Sequence, residues 1–222
     1  NMPSKLHVIG TPVSSDKIVT SSSTHPELNI QPQEMPILMT FANSPYLFMG
    51  KFTVEKNVTL YFAPKSELNQ NKINWKPLTT ASDEIQNIIA YGNDLYLLSS
   101  KGNPHFNILK TNLQKPDLKN AEIVFKGTSE WKVSKIFLAK DFIIINKSKN
   151  ELIIKQSFYN LKTGKVSSPE IKLEGNIMAR NISTQDNEIL LSNTGWNIPN
   201  QFSTLDLETE KMTKNPFEIV YN

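Results

Sequence analysis

The sequence predicts an all-β protein of the β-propeller class, with about four complete four-stranded blades and one partial blade. Three observations support this prediction: strand-like apolar runs recur at a nearly constant spacing, further strand-like segments accompany them, and helical patterns are almost absent. Four strands repeating every 40–50 residues or so are typical of propeller blades, which bury their faces by stacking on one another. The alternative interpretation is a β-sandwich whose strand spacing is regular by coincidence.

Four apolar runs define the repeat: YLFMGKF, LYLLSSK, FIIINKS and EILLSNT, which begin at residues 46, 95, 142 and 188. Their starts are therefore 49, 47 and 46 residues apart. Each run is rich in β-branched or aromatic residues and is too short for a buried helix. Each therefore predicts a buried strand near the inner side of a blade.

Companion segments complete most of the blades. Inner strands are predicted at residues 84–91, 133–139 and 175–183. Second strands are predicted at 57–63, 106–113, 151–161 and 202–208, and third strands at 73–79, 121–127 and 165–173. The last period offers only the weaker segment KMTKNPFEIV for its third strand. Blades are thus expected over approximately 30–80, 81–128, 129–174 and 175–217.

Turn residues agree with antiparallel connections. In LKTGKV, Gly164 stands where a tight turn needs a positive φ, which glycine adopts without a Cβ clash. The stretch LHVIGTPVSSDKIV predicts a strand over residues 6–9, a turn, and a second short strand. This stretch is unusual as a domain start, so we expect residues 5–19 to be the remnant of a preceding blade in a larger protein.

Composition and charge argue against several classes of function. The net charge is 24 − 21 = +3, and the charges are scattered without the basic stripe that a nucleic-acid surface needs. No apolar run approaches the roughly 18 residues of a membrane helix, so no membrane partner is expected. The absence of cysteine excludes disulfides and thiolate ligands. No metal motif such as H-E-x-x-H is present, so neither metal nor cofactor is predicted, and the compartment stays open between cytoplasm and periplasm.

Four segments occur in the order and rough spacing of a known family, from residue 6 to about 217: HVIGTPVSSDKIV, NDLYLLSSKGNPHFNILKTNLQKPDLKNAEIV, FYNLKTGKV and LLSNTGWNIPNQFSTLDLETEKM. They resemble the propeller domain of the prolyl oligopeptidases, serine peptidases that cleave short peptides after proline. The family's propeller has seven blades, and the motif order is similar to its second half. The resemblance therefore implies an open arc of a seven-bladed ring.

The resemblance also implies a function that is completed elsewhere. The family's triad belongs to an α/β-hydrolase domain with a G-x-S-x-G nucleophile elbow, and no glycine pair here brackets a serine in that way. We therefore expect a non-catalytic propeller that gates the access of short proline-containing peptides to the hydrolase domain of the same parent protein. The chain alone should be inactive, and its exposed blade edges are expected either to self-associate or to close into a smaller ring. The alternative is a free-standing propeller that serves as a binding or scaffold module.

The resemblance assigns three candidate residues to the substrate cavity, and it assigns no catalytic residue. Met35 aligns with a methionine that borders the family's substrate site, although a core or loop methionine is the simpler interpretation. Phe52 and Thr53 fall where the family carries an arginine facing the active-site cavity. Neither residue is basic, and strand alternation should turn the neighbouring Lys51 to the other face.

The histidines and two of the tryptophans carry side chains that can catalyse or bind, but structural or solvated roles are expected for them. His7, His25 and His105 have no catalytic motif around them, so structural or solvated roles are expected. Trp75 and Trp131 could stack on a ligand, but packing between blades is the preferred interpretation.

Overall fold

A computed structural model describes residues 2–54 and 57–214 of the chain. Within these ranges, eighteen strands form five antiparallel sheets, joined by turns and by short 3₁₀ segments at Val13–Ser15, Pro26–Leu28, Lys65–Asn69 and Ala81–Asp83. The predicted all-β class is confirmed. The end of the last predicted blade, residues 215–217, lies outside the described residues.

The strands follow one another in space as they do along the chain. A two-stranded sheet contains β1 (Ser4–Leu6) and β2 (Lys17–Thr20). Sheet 1 contains β3 (Met35–Thr40), β4 (Tyr46–Phe52), β5 (Thr59–Pro64) and β6 (Lys76–Pro77). Sheet 2 contains β7 (Ile85–Tyr91), β8 (Asp94–Ser99), β9 (Asn107–Asn112) and β10 (Glu122–Lys126).

Two more four-stranded meanders complete the fold. Sheet 3 contains β11 (Lys132–Leu138), β12 (Phe142–Lys149), β13 (Ile153–Asn160) and β14 (Val166–Ser167). Sheet 4 contains β15 (Asn176–Asn181), β16 (Glu188–Thr194), β17 (Gln201–Asp206) and β18 (Met212–Lys214). The turn between β13 and β14 places Gly164 at a φ of 69°, as the sequence predicts.

The position of β1 and the lengths of the outer strands β6 and β14 differ from the sequence-based expectation. The strand predicted over residues 6–9 is wrong, because β1 ends at Leu6 and the exposed Val8 begins a turn, in which the Thr11 amide donates to the Val8 carbonyl at 3.1 Å. β1 pairs with β2. The outer strands β6 and β14 are only two residues long, and proline explains the first, since Pro77 has no N–H for the ladder.

The chain divides into two compact units. Unit 1 comprises Asn1–Lys101 and Leu109–Glu122, and unit 2 comprises Gly102–Ile108 and Ile123–Asn222. In unit 1, apolar side chains of sheets 1 and 2 form one buried cluster, which includes Phe48, Leu60, Phe62, Ile85, Ile88 and Leu97. A second cluster covers the other face of sheet 1, where the Trp75 indole N–H donates to the buried Thr20 hydroxyl at 3.0 Å.

Unit 2 combines an apolar cluster with buried amides. Phe142, Ile144 and Phe158 of sheet 3 pack against Ile189 and Leu191 of sheet 4. Beside them lies the fully buried Asn146, whose side-chain amide donates to the Ala179 carbonyl at 2.7 Å and accepts from the Ala179 N–H at 3.0 Å. The side chain thereby pairs with β15 as a backbone peptide group would. Gln156 extends this arrangement by donating to the Asn146 oxygen at 3.3 Å and to the Ile177 carbonyl at 2.5 Å.

A second polar link joins the β11–β12 turn to the β15–β16 turn. The buried Asp141 accepts hydrogen bonds from Asn187 at 3.0 Å and from Lys162 at 2.9 Å. The Asp141 amide donates in return to the Asn187 side-chain oxygen at 2.9 Å. Burial alone would raise the pKa of the Asp141 carboxyl, but the hydrogen bonds from Lys162 and Asn187 outweigh it and hold that pKa below its ordinary value.

Candidate functional site

The three residues assigned to the substrate cavity meet at one end of sheet 1. Met35 opens β3 and Phe52 closes β4, and the two are direct cross-strand partners. Thr53 follows immediately after β4. Met35 is 39% exposed, whereas Phe52 and Thr53 are half-buried. The fold thus brings all three together, and their contact with a substrate stays a prediction.

The Phe52 ring depends on Gly50. Both residues point to the same face of β4, and a Cβ on residue 50 would collide with the Phe52 ring. Glycine at this position therefore lets the ring lie back along its own strand. The backbone of Gly50 does not need a positive φ, so its role is the space that it leaves.

The ring of Phe52 lines a cavity of about 200 Å³ within unit 1. Its walls are mostly apolar, with Met39 and Leu60 from sheet 1, Val58 just before β5, and the stretch 85–88 of β7. The cavity could accept an aliphatic or ring-shaped side chain, because most of its lining is hydrocarbon.

A β-bulge in β7 places two polar side chains at the edge of this cavity. Ile85 pairs with Ser99 and Asn87 pairs with Leu98, so Gln86 is the extra residue on β7. The bulge leaves the adjacent Gln86 and Asn87 both exposed, although regular alternation would turn one of them inward. Sequence reasoning missed these two residues. The only signal in the sequence is that two amides interrupt an otherwise apolar strand.

Positive charge near the site is held by a neighbouring carboxylate. The Lys51 ammonium lies 3.2 Å from the Glu34 carboxylate and donates to the Leu28 carbonyl at 3.4 Å. Both charged side chains are largely buried, at 13% and 16% exposure. Lys51 therefore fixes the loop before β3, and the candidate site itself offers mainly apolar surface.

His25 is a structural residue. The Ile73 carbonyl can only accept, so His25 Nε2 donates to it at 3.0 Å, and the Thr24 hydroxyl donates to Nδ1 at 2.9 Å. Burial lowers the pKa of His25, and this effect outweighs the hydrogen bond to Ile73, which favours the charged form. His7 lies instead at the surface, where Nδ1 is 2.7 Å from the Asp16 carboxylate.

Neither a metal-binding cluster nor a membrane-spanning helix is found in the part of the chain that the structure describes. In residues 2–54 and 57–214, no three or more histidine, aspartate or glutamate side chains cluster closely enough to hold a metal ion. No helix within those same ranges has the length and apolar character needed to cross a bilayer.

Comparisons with known proteins agree on one family. The family model described as "Prolyl oligopeptidase, N-terminal beta-propeller domain" matches residues 5–217. Among curated proteins, none matches this sequence.

Solved structures show the same fold. Prolyl oligopeptidase B from Galerina marginata, bound to a 35mer hydrolysis and macrocyclization substrate, superposes with a TM-score of 0.76 at 18% identity. The apo form of that protein gives 0.74 at 18% identity, covering 94% of this chain and 29% of that one. A structure from a study of two prolyl endopeptidases gives 0.77 at 14% identity. In the first and third comparisons the match covers 96% of this chain but only 31% of the other. The predicted β-propeller class is confirmed.

Proposed function

This chain belongs to the prolyl oligopeptidase family, as its N-terminal β-propeller domain, and from that premise we propose that it gates access to a serine endopeptidase active site. The propeller would admit short proline-containing peptides to a catalytic α/β-hydrolase domain of the same parent protein. The observation that carries this proposal is the family match over residues 5–217. The chain spans about a third of the length of its structural neighbours, which leaves room for a separate catalytic domain.

The innermost strand of sheet 1 supports a gating role. In a propeller, the first strand of each blade borders the central channel. As the first strand of sheet 1, β3 would occupy that position, and its side chains Met35 and Ile37 are 39% and 41% exposed. These two apolar side chains would form part of the channel wall that an entering peptide passes.

The chemistry of the site favours apolar recognition. Methionine adapts its shape to different partners because its side chain is unbranched and its sulfur is polarizable. Phe52, its cross-strand partner, would present a ring edge beside it. With Lys51 paired to Glu34, the contribution of this blade to peptide binding would come from hydrocarbon contact rather than from charge.

Activity of the purified chain tests the absence of catalysis. The chain is incubated with a fluorogenic proline-containing peptide, with and without a serine-directed inhibitor. No inhibitor-sensitive hydrolysis is expected, because the nucleophile would reside in the hydrolase domain. Hydrolysis that the inhibitor blocks would contradict the proposal.

The gating residue is tested in the full-length parent enzyme. Met35→Ala should raise KM for a short proline peptide by about threefold, roughly 0.7 kcal/mol of lost contact, with little change in kcat. Met212→Ala is the matched control, since Met212 has a similar exposure of 41% but lies on the outermost strand β18. Equal effects of the two substitutions would contradict a role for Met35 at the channel.

The free-standing binding or scaffold module remains the competing hypothesis. The two hypotheses differ in what the rest of the gene encodes. A gatekeeper requires an adjoining segment with a G-x-S-x-G elbow and the missing blades, whereas a scaffold requires neither. Reading the open reading frame in both directions distinguishes them.

A further inference from the structure

A second cavity in unit 2 carries an arrangement of charge that the fold does not explain. The cavity has a volume of about 520 Å³, and its lining includes Trp131, Lys147 and Lys155. Lys147 on β12 and Lys155 on β13 are direct cross-strand partners. Like charges directly opposite each other repel and destabilise a sheet, so an anion near this pair would be stabilised.

The ammonium groups of Lys147 and Lys155 both lie near the ring of Trp131. Lys147 Nζ lies 5.7 Å from the centre of the Trp131 ring, and Lys155 Nζ lies 5.4 Å from it. Trp131, expected from the sequence to pack between blades, is therefore part of a cationic surface. Lys147 is half-buried and also lies 6.0 Å from the Phe125 ring, whereas Lys155 is exposed.

Within residues 2–54 and 57–214, neither Lys147 nor Lys155 forms an ion pair with a carboxylate. No carboxylate there approaches Lys147 or Lys155 within 4.0 Å, although eight other ion pairs are formed. Glu130 pairs with Lys149 at 2.9 Å and interacts with Lys155 only at longer range. Glu170 lines the same cavity without reaching either ammonium group at that distance. The pKa of Lys147 is lowered, first by burial and then by repulsion from Lys155.

The rest of the lining mixes aliphatic and polar side chains. Ile154, Ile171, Leu173 and Ile177 line the cavity together with the polar Gln156, Ser168 and Glu170. A ligand that uses both the lysines and the aliphatic side chains combines a negative group with hydrocarbon. A free phosphate satisfies only the first requirement, whereas a peptide that ends in an aliphatic residue satisfies both, since its carboxylate and its side chain are adjacent.

We propose that this cavity, named here the lysine cavity, binds the C-terminal carboxylate of a short peptide. Lys147 and Lys155 contact the carboxylate, and the aliphatic walls receive the neighbouring side chain. The lysine cavity lies where β12 ends and β13 begins, the end of sheet 3 that corresponds to the Met35–Phe52 end of sheet 1. The inference rests on the cavity itself and requires no hydrolase domain, so it can hold even if the gating proposal fails.

Calorimetric titration of the folded chain tests the ligand chemistry. The probes are N-acetyl-Leu-Leu with a free carboxylate, the same dipeptide as its C-terminal amide, and inorganic phosphate. The acid should bind at least tenfold more tightly than the amide, and its affinity should fall as salt is added. Equal binding of acid and amide, equal binding of phosphate, or no binding of the acid at millimolar concentration would overturn the proposal.

Three variants test the assigned residues. Lys147→Met and Lys155→Met should each weaken binding of the acid by about tenfold, because each removes one charged contact. Lys165→Met is the matched control, since Lys165 is exposed on a turn of the same unit and lies outside the cavity. Weakening in the control equal to that in the two variants would overturn the assignment.

Two further readouts separate ligand binding from a structural role. Lys147→Met should unfold at the same temperature or higher, since it removes a like-charge contact; a loss of stability with unchanged binding would make the pair structural. Glu170→Gln should strengthen binding of the acid by up to about threefold, because it removes a competing negative charge. Weaker binding in Glu170→Gln would mean that Glu170 supports the ligand, and would count against an anion site.

Discussion

The two units join their paired sheets in different ways. In unit 1, sheets 1 and 2 pack through hydrocarbon, with Phe48, Ile85 and Leu97 all at 2% exposure or less. The hydrogen bonds at this junction join backbone or turn groups, such as the Gly92 amide and the Asn43 carbonyl at 2.6 Å. In unit 2, the Asn146 side chain is itself a bridge between sheets 3 and 4.

This difference teaches that one repeat can be stacked with two kinds of interaction. Hydrocarbon contact is non-directional, so an apolar junction can shift and repack when one side chain changes. An amide bridge is directional, and removal of one partner leaves the other buried and unpaired. The polar junction of unit 2 should therefore be the less tolerant of substitution.

The largest expected effect is at the amide bridge. Asn146→Ala should lower the free energy of unfolding by about 4 kcal/mol, because it leaves the N–H and carbonyl of Ala179 unpaired and opens a small cavity. Urea denaturation followed by circular dichroism measures the change. Asn200→Ala, at an exposed loop position, should stay within about 0.5 kcal/mol. A loss at Asn146 as small as in this control would remove the distinction between the junctions.

Asp141→Asn should give the next largest effect. The substitution removes the charge that Lys162 and Asn187 stabilise, and the expected loss at neutral pH is about 2 kcal/mol. The folded pKa is depressed, so this contribution is present above the unfolded value of 3.8 and is lost as pH falls through the lower folded value. Unfolding curves of wild type and variant should therefore converge in strong acid. A gap that persists there would assign the loss to packing instead.

Gly50→Ala sharpens the comparison from the apolar side. The new Cβ must displace the Phe52 ring, but the adjacent cavity of about 200 Å³ gives the ring room to move. The expected loss is about 1.5 kcal/mol, near the low end of overpacking effects. The double variant Gly50→Ala with Phe52→Ala should show a favourable coupling, since removal of the ring relieves the clash. Strict additivity would contradict this contact.

The smallest expected effect is that of His25 on the pH dependence of the free energy of unfolding. Its folded pKa is lowered from 6.5, so the stability it provides is present above 6.5 and declines as pH falls through the lower folded value. His25→Gln should flatten the pH dependence of unfolding below about pH 6.5, where the unfolded histidine becomes protonated.

Much of the strand pattern could be predicted from local sequence, and its failures have local causes. The apolar runs at residues 95–101 and 142–148 overlap β8 and β12, because strand periodicity depends on neighbours within a few residues. The run at 6–9 misled, since the turn hydrogen bond of Thr11 begins inside it. The candidate residues Met35, Phe52 and Thr53 came from the family resemblance. Gln86 and Asn87 could not be predicted from the sequence, because a bulge breaks the alternation of inward and outward side chains along β7.

The sequence by itself determined the repeat, the all-β class and the family, because each is carried by the order and spacing of residues along the chain. Only the tertiary structure decided which side chains become partners. Asn146 and Ala179 lie 33 residues apart, and no local pattern marks an asparagine that will replace a peptide group. Lys147 and Lys155 likewise look unremarkable in sequence. Strand register sets the two lysines opposite each other, and the packing of Trp131 against them creates the cationic wall.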